Sequence, residues 1–258
     1  MRIATWNVER VKPQGWKIAP AQRRRMTEVD ADIWILTETH IDHSPGHGYD
    51  VVHTPAIPDR RPANERWVGI WSRYTIAPIT DPAPRGRGTV AAIVDAPIGQ
   101  LVIYGCVIAW ANEPFLADGS PATMWRAHAE TIAQIDYDLE VIRDRHPSLP
   151  IIVGGDFNQD RDGSGWYGTN TVRQQLTGVL DRHGLACVTG FDVAAAGLID
   201  NHHLVDHICV PESLAETAAV SCWGITDEAG VRLSDHPTVA IDLADADSFQ
   251  RSAGSNCR

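Results

Sequence analysis

Two rhythms of apolar and polar positions run through this chain. Short runs rich in Ile, Val and Trp recur between loops rich in Gly and Pro and read as strands buried on one or both faces. They cover residues 2–7, 32–38, 66–73, 90–94, 101–107, 151–153, 204–210 and 238–243. The runs at 90–94 and 101–107 flank Asp95 to Gln100 and predict a hairpin. Three stretches show the three-to-four spacing of a helix instead: 20–29, with Pro20 at its start, 124–144 and 172–183. In the second, Ile132, Ile135, Leu139 and Ile142 form the stripe. Residues 39–65, with His40, His43, His47 and His53, read as loop carrying surface histidines, and 110–123 and 159–171 as further loops. The mixture is that of an α/β protein. No repeat or linker divides it, so 1–245 are expected to form one domain and the small, polar residues 246–258 a loose tail.

The polar residues at the strand ends carry the chemistry. Asn7, Glu38 and the pair Asp156 and Asn158 each stand where an apolar run stops, and Asp235-His236 precede the last run. Gly154 and Gly155 mark a tight turn or a close approach just before Asp156. An Asx turn capping the strand is the bland reading of that stretch. If one rim of a sheet gathers these residues, it offers oxygens suited to a hard cation such as Mg²⁺, with one imidazole as base for a water nucleophile. Asp206, in the strand-like run before Ile208, is the candidate to hold that imidazole in one tautomer.

Composition narrows the picture. The 258 residues carry 22 Lys plus Arg against 33 Asp plus Glu, a net charge of −11. That argues against a surface that grips nucleic acid everywhere, though not against a local patch. Between Asp59 and Gly88, six arginines (60, 61, 66, 73, 85, 87) face only Asp59, Glu65 and Asp81. Arg73 is the substrate-binding candidate from this window. The triple arginine 23–25 reads as a solvated helix face. Five scattered cysteines without a CxxC pair imply neither a disulfide framework nor a zinc–thiolate site. No apolar run is long enough to span a membrane, and no leader-like segment opens the chain, so a cytoplasmic location is expected, or else the mature form of an exported protein.

Several short motifs in this order resemble the endonuclease/exonuclease/phosphatase superfamily with its deoxyribonuclease I-like fold. They are Thr5-Trp6-Asn7, Asp30-Ala31-Asp32-Ile33 through Glu38, Gly69-Ile70-Trp71-Ser72-Arg73, Gly154-Gly155-Asp156-Phe157-Asn158, Val205-Asp206-His207-Ile208 and Ser234-Asp235-His236-Pro237. The resemblance implies a four-layered α/β/β/α sandwich, two mixed sheets face to face with helices outside. It implies that Asn7, Glu38 and Asp235 bind Mg²⁺ or Mn²⁺, and that Asp156 and Asn158 contact the water, metal or scissile phosphate. His236, paired to Asp206, is implied as base or phosphate-stabilising group. Two departures stand out. Thr37 replaces a frequent Gln, and Val107 stands where a His or Tyr often supports the phosphate, with Tyr104, Trp110 or Asn112 as possible substitutes.

The expected activity is therefore Mg²⁺-dependent phosphoester hydrolysis, first of nucleic acid, with His236 as general base. The alternatives are a small or lipid-borne phosphoester as substrate, and a weakly catalytic binding protein. Trp166 and Tyr167, in the loop after Asn158, are candidates for stacking on a base, with core packing the competing reading. Asp200-Asn201-His202-His203 invites a zinc site, but adjacent histidines in a strand point to opposite faces.

Overall fold

The computed structural model describes residues 1–12, 14–15, 17–57, 64–81, 84 and 86–244. The expected tail at 246–258 and Arg60, Arg61 and Arg85 of the arginine window lie outside these residues. In chain order the elements are β1 (Arg2–Asn7), α1 (Ile18–Val29), β2 (Ile33–His40), β3 (Asp50–His53), β4 (Glu65–Ser72), β5 (Ile76–Pro78), β6 (Thr89–Ala96), β7 (Gly99–Val107) and α2 (Arg126–Arg145). They continue with β8 (Ile151–Asp156), α3 (Asn170–Arg182), β9 (Leu185–Cys187), β10 (Asp206–Pro211), α4 (Glu212–Ala215), β11 (Ala218–Trp223) and β12 (Thr238–Leu243).

The strands form two mixed six-stranded sheets, β11-β12-β1-β2-β4-β3 and β5-β6-β7-β8-β10-β9. Each has one parallel pair near its centre, β1 with β2 and β7 with β8. Strand alternation explains the layering. Ile33 and Ile35 of β2 meet Ile152, Ile208 and Val210 between the sheets. Trp34 and Leu36, the intervening residues, pack with Met26 and Val29 of α1. On the outer side of the second sheet, Ile151, Val153 and Cys209 pack with Ile132, Ile135 and Leu139 of α2 and Leu176 and Val179 of α3. The result is the expected helix–sheet–sheet–helix sandwich.

Two glycines let the sheets close where the site lies. A Cβ on Gly105 would stand 2.7 Å from Val68, and one on Gly154 2.7 Å from Ile35, so β7 and β8 approach β2 and β4 only because these side chains are missing.

The structure corrects several expectations. The 39–65 stretch contains β3, a short edge strand whose Val51 and Val52 pair with Trp71 and Ile70. Its histidines are not all on the surface: His43 is fully buried, and His40 nearly so at the end of β2. Burial pushes His43 down to about 4. The Arg23–Arg25 run is not wholly solvated either. Arg25 is buried and donates to the carbonyls of Gly224 and Thr226, tying α1 to the loop after β11. Strands β5, β9 and β11 have no counterpart in the sequence reading, because each is short or lacks a run of large apolar residues. Cys106 and Cys209 are buried free thiols, as expected.

Candidate active site

The rim is built from both sheets. Along β1 the residues Ile3, Thr5 and Asn7 share the face toward the second sheet, while Ala4 and Trp6 face α1. Asn7 is thus aimed across the gap, and its Nδ2 donates to Asp156 Oδ2 at 3.0 Å. Its Oδ1 accepts from the Glu9 amide at 2.9 Å. Glu38 departs from strand geometry with a φ of 48°, an unusual value for a residue with a side chain, held only where the surroundings impose it. Burial raises its pKa, while Arg10, His236 and a hydrogen bond with Asn7 pull the other way. Arg10 Nη1 lies 2.8 Å from its carboxylate, with the guanidinium over the Trp67 ring.

From the second sheet, Asp156 ends β8 opposite Asp206 of β10. Asn158 folds back in the Asx turn that its sequence allows: its amide donates to Asp156 Oδ1 at 2.9 Å. Its φ is 48°, which Asn tolerates, and its Nδ2 donates to the Ile108 carbonyl at 2.9 Å. The turn of the bland reading is therefore present, and it leaves the Asp156 carboxylate at the rim beside Asn7.

His236 closes the group. Ser234 Oγ donates to the Asn7 carbonyl at 2.6 Å and receives the His236 amide at 3.2 Å, and the Trp6 indole donates to the His236 carbonyl at 3.0 Å. These bonds sew the 234–236 turn to β1. The ring Nδ1 lies 2.5 Å from Asp206 Oδ2, and Nε2 3.8 Å from Asp235 Oδ1. Ligating atoms of Asp156, Asp206 and His236 all lie within 4.8 Å of one another.

The electrostatics follow from burial. Asp156 is pushed up to about 7 by desolvation and by Asp206, against the pull of His236. Burial alone would lower His236; Asp206, Asp156 and Asp235 outweigh it and raise the ring to about 10. Asp206 is fully buried, and its Oδ1 has no hydrogen-bond partner.

These donors suit a hard divalent cation. Carboxylate and amide oxygens from Asn7, Glu38, Asp156 and Asp235 converge on one imidazole, and no thiolate is among them. The tight Asp156–Asp206–His236 triad is less suited to hold the ion itself, because Asp206 and His236 already spend an oxygen and a nitrogen on each other.

The other candidates separate. Arg73 lies at the opposite end of its sheet: β4 runs antiparallel to β2, so Ser72 faces Ile33 while Arg66 faces Thr39 at the rim end. Arg73 pairs there with Asp30 and Asp32, far from Asp156 and His236. Val107 is the register partner of Asp156 and packs between the sheets, an apolar neighbour at the rim. Tyr104 does not replace the missing donor: its hydroxyl is buried under α2, donating to Asp138 at 2.8 Å. Tyr167 is half-buried and receives the Ala111 amide at 3.3 Å, whereas Trp166 is largely exposed. His202 and His203 go their own ways, His202 to the Asp200 carbonyl and His203 to Asp162. The sequence reading gave no role to Arg10 or to Ser234, which it quoted only within its motif. Both sit within three residues of a named site residue, which was the available signal.

Residues 4–236 match the model of the Endonuclease/Exonuclease/phosphatase family. No curated protein gives a significant match. Among solved structures, the endonuclease domain of TRAS1, a telomere-specific non-LTR retrotransposon, superposes with a TM-score of 0.63 at 17% identity, covering 95% of this chain and 98% of that one. An AP endonuclease from Archaeoglobus fulgidus gives 0.64 at 14% identity over 94% and 99%. The 3'-5' exonuclease NExo from Neisseria meningitidis gives 0.62 at 21% identity over 94% and 99%. No helix among the described residues is long and apolar enough to cross a membrane. With the motifs in family order and both sheets meeting at one carboxylate-rich rim, the chain belongs to the endonuclease/exonuclease/phosphatase family of phosphoester hydrolases.

Proposed function

We propose that this protein is a divalent-cation-dependent phosphodiesterase acting on nucleic acid. The observation that carries this reading is the pair of hydrogen bonds that bridge the sheets at one rim, Asn7 to Asp156 and His236 to Asp206. The TRAS1 domain, the AP endonuclease and NExo support nucleic acid as the substrate class. Glu38, Asn7 and Asp235 would hold Mg²⁺ or Mn²⁺, which when bound would offset charge on the phosphate and ease ionisation of water.

The remaining work falls to the chain's own groups. A base must be free of its proton at working pH, and a carboxyl near 7 meets that need better than an imidazole near 10. Asp156 is therefore the group that takes the proton of the attacking water, and Asn158 positions it. His236, charged and oriented by Asp206, meets the phosphoryl oxygens and supplies a proton to the leaving oxygen. This assignment differs from the sequence expectation, which gave the base role to His236.

The pH profile tests the assignment. Asp156 acts ionised, so kcat/KM below cation saturation should rise with pH through about 7; His236 acts protonated, so the rate should fall through about 10. A rising limb with no fall on the alkaline side returns the base role to His236. The cation set has its own test. Mg²⁺ should raise the melting temperature of the wild-type protein, and Glu38→Gln should lose that rise at the same concentration. An undiminished rise removes Glu38 from the ligands.

One observation favours a small or lipid-borne phosphoester instead. Two described arginines of the 60–87 window are committed elsewhere: Arg73 pairs with Asp30 and Asp32 at the far end of its sheet and Arg87 donates to the Ala117 carbonyl, which leaves Arg66 at the rim end. A Mg²⁺-supplemented comparison of plasmid DNA, RNA, bis-p-nitrophenyl phosphate, inositol phosphates and sphingomyelin separates the two. Turnover of a small ester or a lipid with none of either nucleic acid overturns the nuclease reading.

A further inference from the structure

Trp166 is 59% exposed, an expensive position for an indole. The loop that carries it is nonetheless tightly built. Asp160, fully buried, accepts from the amides of Tyr167 at 2.8 Å and Gly165 at 3.1 Å. Its own amide donates to the Tyr167 carbonyl at 2.9 Å, and Arg173 pairs with its carboxylate at 3.3 Å while donating to the Gly168 carbonyl. Both neighbours of Trp166 are thus fixed, so its exposure is imposed by the loop rather than left over from poor packing.

The ring is also supported from beneath. His203 stacks on it with centroids 5.2 Å apart and planes 15° from parallel, and Asp162 Oδ2 holds His203 Nδ1 at 2.9 Å. Behind it, Tyr167, Trp125 and His128 continue a chain of tilted rings into the core. The stack joins the two segments that deliver the catalytic groups: Trp166 follows Asn158, and His203 precedes Asp206. Three residues of extended chain from His203 to Asp206 span at most about 10 Å. Bases stacked along a strand repeat every ~3.4 Å, so the platform lies within about three nucleotides of the rim.

We propose that Trp166 and His203 form a stacking platform for an unpaired nucleobase, and that the substrate is single-stranded nucleic acid. The inference rests on the nuclease reading and names its substrate class. A flat, supported aromatic face takes any unpaired base, whereas bases inside a duplex keep both faces covered by their neighbours. A lipid surface is a poorer fit. The exposed face at this loop is one indole braced by one imidazole, far smaller than the apolar patch that a lipid surface would bury.

The test is a binding measurement with EDTA present, so that turnover plays no part and a failure of catalysis leaves it readable. Fluorescence anisotropy would follow a labelled single-stranded 12-mer and the same sequence as a blunt duplex. The wild-type protein should prefer the single strand. Trp166→Ala should weaken single-strand binding about tenfold or more, Trp166→Phe should restore most of it, and duplex binding should move less than twofold. His203→Ala, which leaves the Asp160 anchors in place, should weaken single-strand binding about threefold and guards against a misfolded Trp166 variant. Equal losses for both nucleic acids, or no loss, overturn the proposal. So does co-sedimentation with phosphatidylcholine vesicles that Trp166→Ala abolishes, which would assign the face to lipid.

Discussion

Substituting His236 by alanine is expected to lower kcat on a phosphodiester about a thousandfold, the scale of losing a positioned proton donor. It should also destabilise the fold by about 3 kcal/mol, because one member of a buried pair is left behind. Asp206 is fully buried, its Oδ1 is already unpartnered, and its Oδ2 bonds His236. Without the imidazole neither oxygen has a partner. The two losses are separable. Asp206→Ala together with His236→Ala removes the stranded carboxyl, so the double variant should melt several degrees above the single one while staying inactive. Asp206→Ala alone should retain more activity than His236→Ala, since Asp206 orients the ring rather than touching substrate. Thermal unfolding and bis-p-nitrophenyl phosphate turnover on the three variants decide the matter. A double variant no more stable than His236→Ala means that the pair is not a stability element. Full turnover by the single His236 variant removes it from the chemistry.

Gly155→Ala is expected to be more damaging to the fold than any other single-methyl addition near the rim. The residue has a φ of 135°, and a Cβ there would stand 1.9 Å from the Cys106 carbonyl oxygen. Backbone on both sides of that clash belongs to the parallel β7–β8 ladder, in which Cys106 is the register partner of Gly155. Nothing flexible can yield, so the cost should exceed about 4 kcal/mol, the range reserved for core overpacking and backbone strain. Gly154→Ala makes the contrast. Its Cβ would meet Ile35 Cδ1 at 2.7 Å, the far end of a side chain that can rotate. About 1–2 kcal/mol is expected there, with a drop in activity if the sheets part and the Asn7–Asp156 bond lengthens. Thermal unfolding of the two variants checks both figures. Equal and small losses would show that β7 and β8 are free to move apart at this point of their ladder.

The parts of this fold that were legible in the sequence are those whose side chains alternate into two cores. Strands β1, β2, β4, β6, β7, β8, β10 and β12 all announce themselves through large apolar residues, and so do the three long helices. The runs that escaped had weaker patterns. β11 reads Ala-Ala-Val-Ser-Cys-Trp and β5 Ile-Ala-Pro, edge strands with little to bury on one side. In the site, the residues at strand ends were visible because a polar group where an apolar run stops is itself a signal. Arg73 misled because position along a strand does not reveal which end of the sheet faces the rim; that depends on β4 running antiparallel to β2. The raised pKa values of Asp156 and His236 were also beyond the sequence. They arise from burial and from a carboxyl fifty residues from one and thirty from the other, distances that only the fold collapses.

The strand order has a consequence for how the molecule comes into being. All strands of the second sheet lie between residues 76 and 211, whereas the first sheet is assembled from both flanks, with β12 wedged between β11 and β1. During synthesis β1 must wait, one edge bare, for a partner that emerges 234 to 240 positions later, Thr5 pairing with Val239 and Arg2 with Asp242. Contacts of such long sequence separation form late and slowly. His236 rides immediately ahead of that final partner, so the rim lacks its imidazole until the last strand of the sheet has been made.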